Sequence, residues 1–169
     1  TTSHNVRTAT DLLANIRTQP DLDDVTAYLV LGAGLVGSEL AWYLKSRGKA
    51  VTLVDILATD QILLDEHPGN RAFVLNQIRE LGIPFLCQRT VQRIEGNQAI
   101  CVTESGKEEL LPFECLVLAT GYAPDAEFCE SIQAGAVGYE VYKIGDCREV
   151  QAQGCFNAIH SAFQVANAL

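Results

Sequence analysis

The sequence predicts a three-layer α/β fold: a central parallel sheet, covering helices, and a separate three-stranded antiparallel meander. Three observations carry that expectation. Short apolar runs at residues 27–31, 51–54 and 115–119 read as buried parallel strands. A stretch with helical apolar spacing joins the first two, as in a parallel crossover. Residues 90–113 change character, alternating in pairs such as Val91/Arg93 and Ile100/Val102, with breaks at Gly96-Asn97 and Ser105-Gly106, as a meander does.

In chain order, Thr8-Ala9-Thr10-Asp11 resembles a capping box ahead of Leu12, Leu13 and Ile16, and Pro20 with Asp21, Asp23 and Asp24 closes the segment. Residues 1–26 are therefore expected to be a leading helix and linker. The first strand, 27–31, is followed by a helix over 35–47 whose Val36, Leu40 and Leu44 share a face, then a strand at 51–54. Pro68-Gly69-Asn70 precede a helix over 71–81, with Val74, Ile78 and Leu81 on one face and Gly82 as the stop. A third strand at 84–87, the meander, and the strand at 115–119 complete a domain expected over 27–122. Beyond it, over 123–169, the pattern predicts a helix at 126–133, a strand at 140–144 and a last helix at 155–169.

Composition narrows the class. With 169 residues, 48% hydrophobic and 20% charged, the chain has room for one buried domain or one domain and part of another. Its net charge of −9 comes from 12 basic and 21 acidic residues, with no basic run, which argues against nucleic acid and anionic membranes as partners. No apolar stretch approaches the roughly 20 residues of a membrane span. The first residues do not read as a signal peptide, so a cytoplasmic setting is expected, and the missing initiator Met suggests a piece of a longer protein.

The turn between the first strand and helix carries the chemistry. Gly32, Gly34 and Gly37 form a G-x-G-x-x-G pattern, and Asp55, at the end of the next strand, follows Gly37 by about the 20 residues expected of a ribose-binding acid. In such a turn the first glycine takes a tight bend, the second lets a pyrophosphate approach the main chain, and the third allows the helix to pack closely. The helix N-terminus then offers N–H groups and a positive dipole end to the phosphates without any basic side chain. Gly32, Gly34, Leu35, Val36 and Gly37 are accordingly the candidate pyrophosphate contacts. A carboxylate at Asp55 would repel a 2′-phosphate, and Ile56-Leu57-Ala58 bring no arginine to receive one, so NAD(H) is expected over NADP(H).

Cys87, Cys101, Cys115, Cys129, Cys147 and Cys155 include no C-x-x-C. The first three lie in apolar strand-like runs and are expected to be small buried residues; no metal site is expected. His4, His67 and His160 are isolated, and no chemistry is assigned to them.

Three segments together, Gly32-Ala-Gly34-Leu-Val-Gly37-Ser-Glu39, Leu118-Ala-Thr-Gly121-Tyr-Ala-Pro124 and Tyr142-Lys-Ile-Gly145-Asp146-Cys147, resemble the flavin-linked pyridine nucleotide reductases. Within that superfamily the sequence is most similar to the carboxy-terminal part of the 2,4-dienoyl-CoA reductase and NADH:flavin oxidoreductase group, related to old yellow enzyme. The resemblance implies the NAD-binding part and the last piece of an FAD domain. It assigns Glu39 to the nicotinamide side, Gly121 to the turn bordering that pocket, and Gly145 and Asp146 to FAD. The chain lacks a second glycine fingerprint, a barrel and clustered cysteines, so FMN and an iron–sulfur cluster would belong to other regions of a parent protein. Those FAD, FMN and iron–sulfur regions are the partners the resemblance implies.

Hydride transfer between nicotinamide and flavin asks the protein to position two rings, so no catalytic side chain is expected. The expected function is the NAD(H)-binding domain of a flavin-dependent enoate or dienoyl-CoA-type reductase, the fragment alone turning nothing over. A nucleotide-binding module without redox turnover, holding ADP or NAD, and a partner-binding domain with a vestigial turn are the alternatives. The carboxy-terminal strand and helix, lacking their FAD domain, are expected to dock on the NAD domain, pair with a second copy as a homodimer, or be mobile.

Overall fold

In the computed structural model, which describes residues 5–15, 24–150 and 154–169, the chain divides into two units, Thr1–Gly121 and Tyr122–Leu169. The first unit runs β1 (Val6–Thr8), α1 (Ala9–Asn15), β2 (Ala27–Leu31), α2 (Leu35–Ser46), β3 (Ala50–Val54), α3 (Pro68–Glu80), β4 (Phe85–Leu86), β5 (Arg89–Glu95), β6 (Gln98–Thr103), β7 (Glu108–Pro112) and β8 (Cys115–Leu118). A parallel sheet has the order β1-β8-β2-β3-β4, and β5-β6-β7 form the antiparallel meander.

Side-chain alternation in the strands divides the core in two. Tyr28 and Val30 of β2 point to one face of the sheet, where they cluster with Leu12 of α1, Leu40 and Leu44 of α2, and Val74 and Ile78 of α3. Leu29 and Leu31 point to the other face and meet Ala99 and Cys101 of the meander, with Phe113. The three layers are thus helices, sheet and meander. Leu29 and Leu53 are wholly buried, each burial stabilising the fold by about 1.5–3 kcal/mol.

Cys87, Cys101 and Cys115 are buried, as their apolar neighbours predict. Burial pushes the Cys101 and Cys115 thiols up from their ordinary range, so both stay protonated and inert. Where β8 begins, the Glu114 carboxylate accepts hydrogen bonds from the Thr26 N–H at 2.6 Å and the Ala27 N–H at 3.2 Å. These bonds fasten the start of β2 to the strand beside it.

Several elements differ from the sequence expectation. Val6–Thr8, expected within the leading segment, forms β1 and pairs in parallel with β8 through Val6–Leu116 and Thr8–Leu118. Half of the capping box is seen at this junction: Thr8 Oγ1 accepts from the Asp11 N–H at 3.1 Å. Ile16, Pro20, Asp21 and Asp23 lie outside the described residues. Val36 is not on the buried face of α2; Gly37, Ser38 and Ala41 join Leu40 and Leu44 there. α3 begins three residues earlier than expected, because Pro68 occupies the first helical position, where its missing N–H costs nothing, and His67 Nδ1 caps Gly69 N–H at 3.2 Å. His67 thus has a structural role.

The second unit holds α4 (Ala126–Gly135), a 3₁₀ turn at Gly145–Cys147 and α5 (Gly154–Ala168). Asp125 Oδ1 caps α4 by accepting from Phe128 N–H at 2.9 Å. The strand expected at 140–144 is not formed; no other strand is present among the described residues of this unit to pair with it. Neither α4 nor α5 has a buried residue. On α5, Phe156, Ile159 and Phe163 are exposed at helical spacing. No helix among the described residues is long and apolar enough to cross a membrane.

Candidate functional site

The sheet order brings three chain segments together at one end. β2 leads into the glycine turn, β3 into Asp55, and β8, on the other side of β2, into Ala119–Thr120–Gly121. Successive strands leave β2 in opposite directions, and the carboxyl ends at such a switch point form the crevice where open α/β sheets bind ligands.

Each glycine of the turn has its own reason. Gly32 has φ 99, a left-handed conformation that disfavours side chains, and a Cβ there would also overlap the Ala119 carbonyl oxygen. A Cβ on Gly37 would run into the carbonyl oxygen of Gly32, so the close approach is between helix and turn. Gly34 is different: its φ of −62 suits any residue, and a Cβ there would meet nothing within 4 Å. The open space next to Gly34 leaves its backbone accessible to a group such as a phosphate.

α2 starts at this opening without a side-chain cap. Its first internal bond runs from Ser38 N–H to Gly34 O at 2.9 Å, which leaves the Leu35, Val36 and Gly37 N–H groups without partners inside the helix. Together with the positive end of the dipole, these groups suit a diphosphate.

Asp55 does more than the spacing predicts. Its Oδ2 accepts from Ala33 N–H at 2.6 Å, inside the glycine turn, and its Oδ1 accepts from Leu57 N–H at 2.8 Å. Gly32 N–H adds a bond to Val54 O at 2.8 Å. The acid therefore ties the turn to the end of β3 and still has lone pairs for a ribose diol, since a carboxylate offers about four acceptor sites. Sequence reasoning missed Ser38, which is fully buried and donates its hydroxyl to Ala33 O at 3.0 Å. A polar residue on the buried face of a helix, directly after the third glycine, was the available signal.

The structure gathers Gly32, Gly34, Leu35, Val36, Gly37, Asp55 and Gly121 around this crevice, with Glu39 exposed further along α2. Gly121, at φ 94, ends the turn whose Ala119 abuts Gly32 and Gly37. Gly145 and Asp146 belong to the second unit. There Gly145, at φ 55, donates its N–H to Ser161 Oγ at 2.9 Å, while Asp146 is exposed. No cluster of metal-ligating side chains occurs among the described residues.

Comparisons with known proteins place the chain in a family. Among curated proteins, the chain is 33% identical over 138 residues to an NADH oxidase of Thermoanaerobacter brockii, covering 82% of the chain and 20% of that protein. It is 26% identical over 148 residues to the nitric oxide reductase FlRd-NAD(+) reductase of Escherichia coli O1:K1 / APEC, covering 80% of the chain and 39% of that protein. The chain thus spans a fifth to two-fifths of these relatives. Among solved structures, a 2-naphthoyl-CoA reductase in complex with 2-naphthoyl-CoA superposes with a TM-score of 0.76 at 21% identity, over 96% of this chain and 23% of that one, a likeness of fold. The model of the pyridine nucleotide-disulphide oxidoreductase family, whose members bind NAD(H) and FAD, matches residues 2–166. The chain belongs to the pyridine nucleotide-disulphide oxidoreductase family.

Proposed function

We propose that the chain is the NAD(H)-binding part of a flavin-dependent oxidoreductase and that it holds NADH for hydride transfer to an FAD bound mainly by the rest of a parent protein. The observation that carries this reading is the crevice at the ends of β2, β3 and β8, where the space beside Gly34, the free N–H groups of α2 and Asp55 fit a dinucleotide in sequence. When bound, NADH supplies a hydride to the flavin, leaving NAD⁺. Leu35, Val36 and Gly37 N–H groups bind the diphosphate, and Asp55 accepts from the adenosine ribose. Glu39 and Gly121 border the nicotinamide. Gly145 and Asp146 contribute to the FAD site, Asp146 taking a hydroxyl of the ribityl chain, and the parent protein supplies the remainder.

The finer reading is a reductase of the enoate or 2,4-dienoyl-CoA type acting in the cytoplasm. It is supported by the Ala-Thr-Gly and Gly-Asp segments and by the fold likeness to 2-naphthoyl-CoA reductase over almost the whole chain. A second reading, a module that holds ADP or NAD without turnover, draws support from one feature: the hydrogen bonds that fix Asp55 and the glycine turn would serve the ADP half of the cofactor.

Mixing the parent flavoprotein anaerobically with NADH separates the two. Loss of the oxidised-flavin absorbance at a rate that rises with NADH is expected. Tight NADH binding with no flavin reduction would favour the module without turnover.

A further inference from the structure

Ala33, between the first two glycines of the turn, is held from both sides by side chains that come from elsewhere. Its N–H donates to Asp55 Oδ2 at 2.6 Å, beyond the end of β3, and its carbonyl oxygen accepts from the Ser38 hydroxyl of α2 at 3.0 Å. Ser38 is 0% exposed and Ala33 1%, so the hydroxyl is shut off from water. It does not make the bond usual for a serine inside a helix, to the carbonyl four residues back. That oxygen, on Gly34, takes the Ser38 N–H at 2.9 Å, and the hydroxyl reaches one residue further, to a carbonyl ahead of the helix. Among the described residues, this is the one hydrogen bond that the Ala33 carbonyl receives.

The direction of this carbonyl decides that of a second group. Ala33 C=O and Gly34 N–H belong to one planar trans peptide and point opposite ways. With the oxygen drawn inward by Ser38, the Gly34 N–H is turned outward, and among the described residues it donates to nothing. Glycine also leaves the opposite arrangement within reach: a flip of this peptide takes Gly34 to positive φ, which a residue without a Cβ accepts at little cost. The flipped peptide would present a carbonyl oxygen to an anion. Ser38 opposes the flip, because its buried hydroxyl would lose its acceptor.

We propose that Ser38 is a positioning residue for the cofactor diphosphate. By fixing the Ala33–Gly34 peptide, it adds the Gly34 N–H, already turned outward, to the N–H groups of Leu35, Val36 and Gly37. The turn then owes part of its affinity to a buried hydroxyl that touches no ligand. The inference rests on the reading of the chain as an NADH binder.

The test combines calorimetric titration of the chain with NADH and amide NMR of Gly34 during addition of ADP. Ser38→Ala is expected to weaken NADH about tenfold, the effect of losing one charge-assisted hydrogen bond. Ser38→Cys keeps the size and offers a weak S–H donor, so its loss should be smaller, about threefold. Saturating ADP should move the Gly34 amide proton downfield in the unaltered chain and far less in the folded variants, a difference that lowered stability alone would not produce. Unchanged NADH affinity in both variants, or a Gly34 shift of the same size with and without the hydroxyl, would overturn the inference and leave the NADH reading standing. Failure of the unaltered chain to bind NADH would overturn both.

Discussion

The two units of this chain are built on different principles. In Thr1–Gly121 every strand of the parallel sheet has a partner, α1, α2 and α3 cover one face of the sheet and the meander the other, and Leu12, Leu29, Leu53 and Val117 are wholly buried. In Tyr122–Leu169 no strand forms among the described residues, and the apolar residues of α4 and α5, such as Phe128, Ile132, Phe156 and Phe163, remain exposed. Local signals, capping side chains such as Thr8, His67 and Asp125 together with apolar helical stripes, accompany helices in both. Among the described residues, the first unit alone also encloses a core. Its stability resides in its own contacts, whereas the helices of the second unit leave their apolar side chains exposed.

The largest expected effect tests that contrast. Leu29→Ala or Leu53→Ala should destabilise the chain by about 2–5 kcal/mol in urea unfolding, because each leaves a cavity in a closed core. Phe156→Ala should change the same midpoint by no more than about 0.5 kcal/mol, since the ring is 63% exposed. A comparable loss from Phe156→Ala would show that α5 is part of the cooperative core.

A second comparison lies inside the glycine turn. Gly37→Ala places a methyl group on the Gly32 carbonyl oxygen and should lower stability by about 1–3 kcal/mol along with NADH affinity. Gly34→Ala enters open space at an ordinary φ, so thermal unfolding should stay near that of the unaltered chain while NADH titration weakens. If Gly34→Ala binds NADH normally, the diphosphate does not lie against that residue.

The smallest effect is electrostatic. The Thr26 backbone N–H, then the Thr26 hydroxyl and the Ala27 N–H, hold the Glu114 carboxyl below the usual carboxylate range. A depressed folded-state value means that the stabilisation is fully present above the unfolded pKa and is lost as pH falls through the folded one. Urea midpoints should therefore drop on acidification below the ordinary carboxylate range, and the drop should be shallower in Glu114→Gln. Identical profiles for the two proteins would remove Glu114 from the link between β2 and β8.

What could be read in the sequence divides between local patterns and pairings with distant segments. The strand, glycine turn, helix and acid are local patterns, and the structure holds them at 27–55 with only the ends of elements moved. The meander was legible because its turns are marked by glycine and its strands are adjacent in sequence. Val6–Thr8 was not, since three residues carry too little alternation and its partner, β8, is distant in sequence. The opposite error at 140–144 has the same cause: the residues suit a strand, but pairing is decided by a neighbour the segment does not contain. At the site, spacing identified Asp55 as a candidate ligand group, while its bond to Ala33 N–H depends on how β2 and β3 are aligned.

The central claim is that this crevice is shaped for NADH, with Asp55 setting the choice of cofactor. Calorimetric titration of the chain with NADH and NADPH tests it directly. The carboxylate facing a 2′-phosphate should make NADH at least about tenfold tighter, through like-charge repulsion, and Asp55→Asn should narrow that ratio. Equal or tighter binding of NADPH by the unaltered chain would contradict the account.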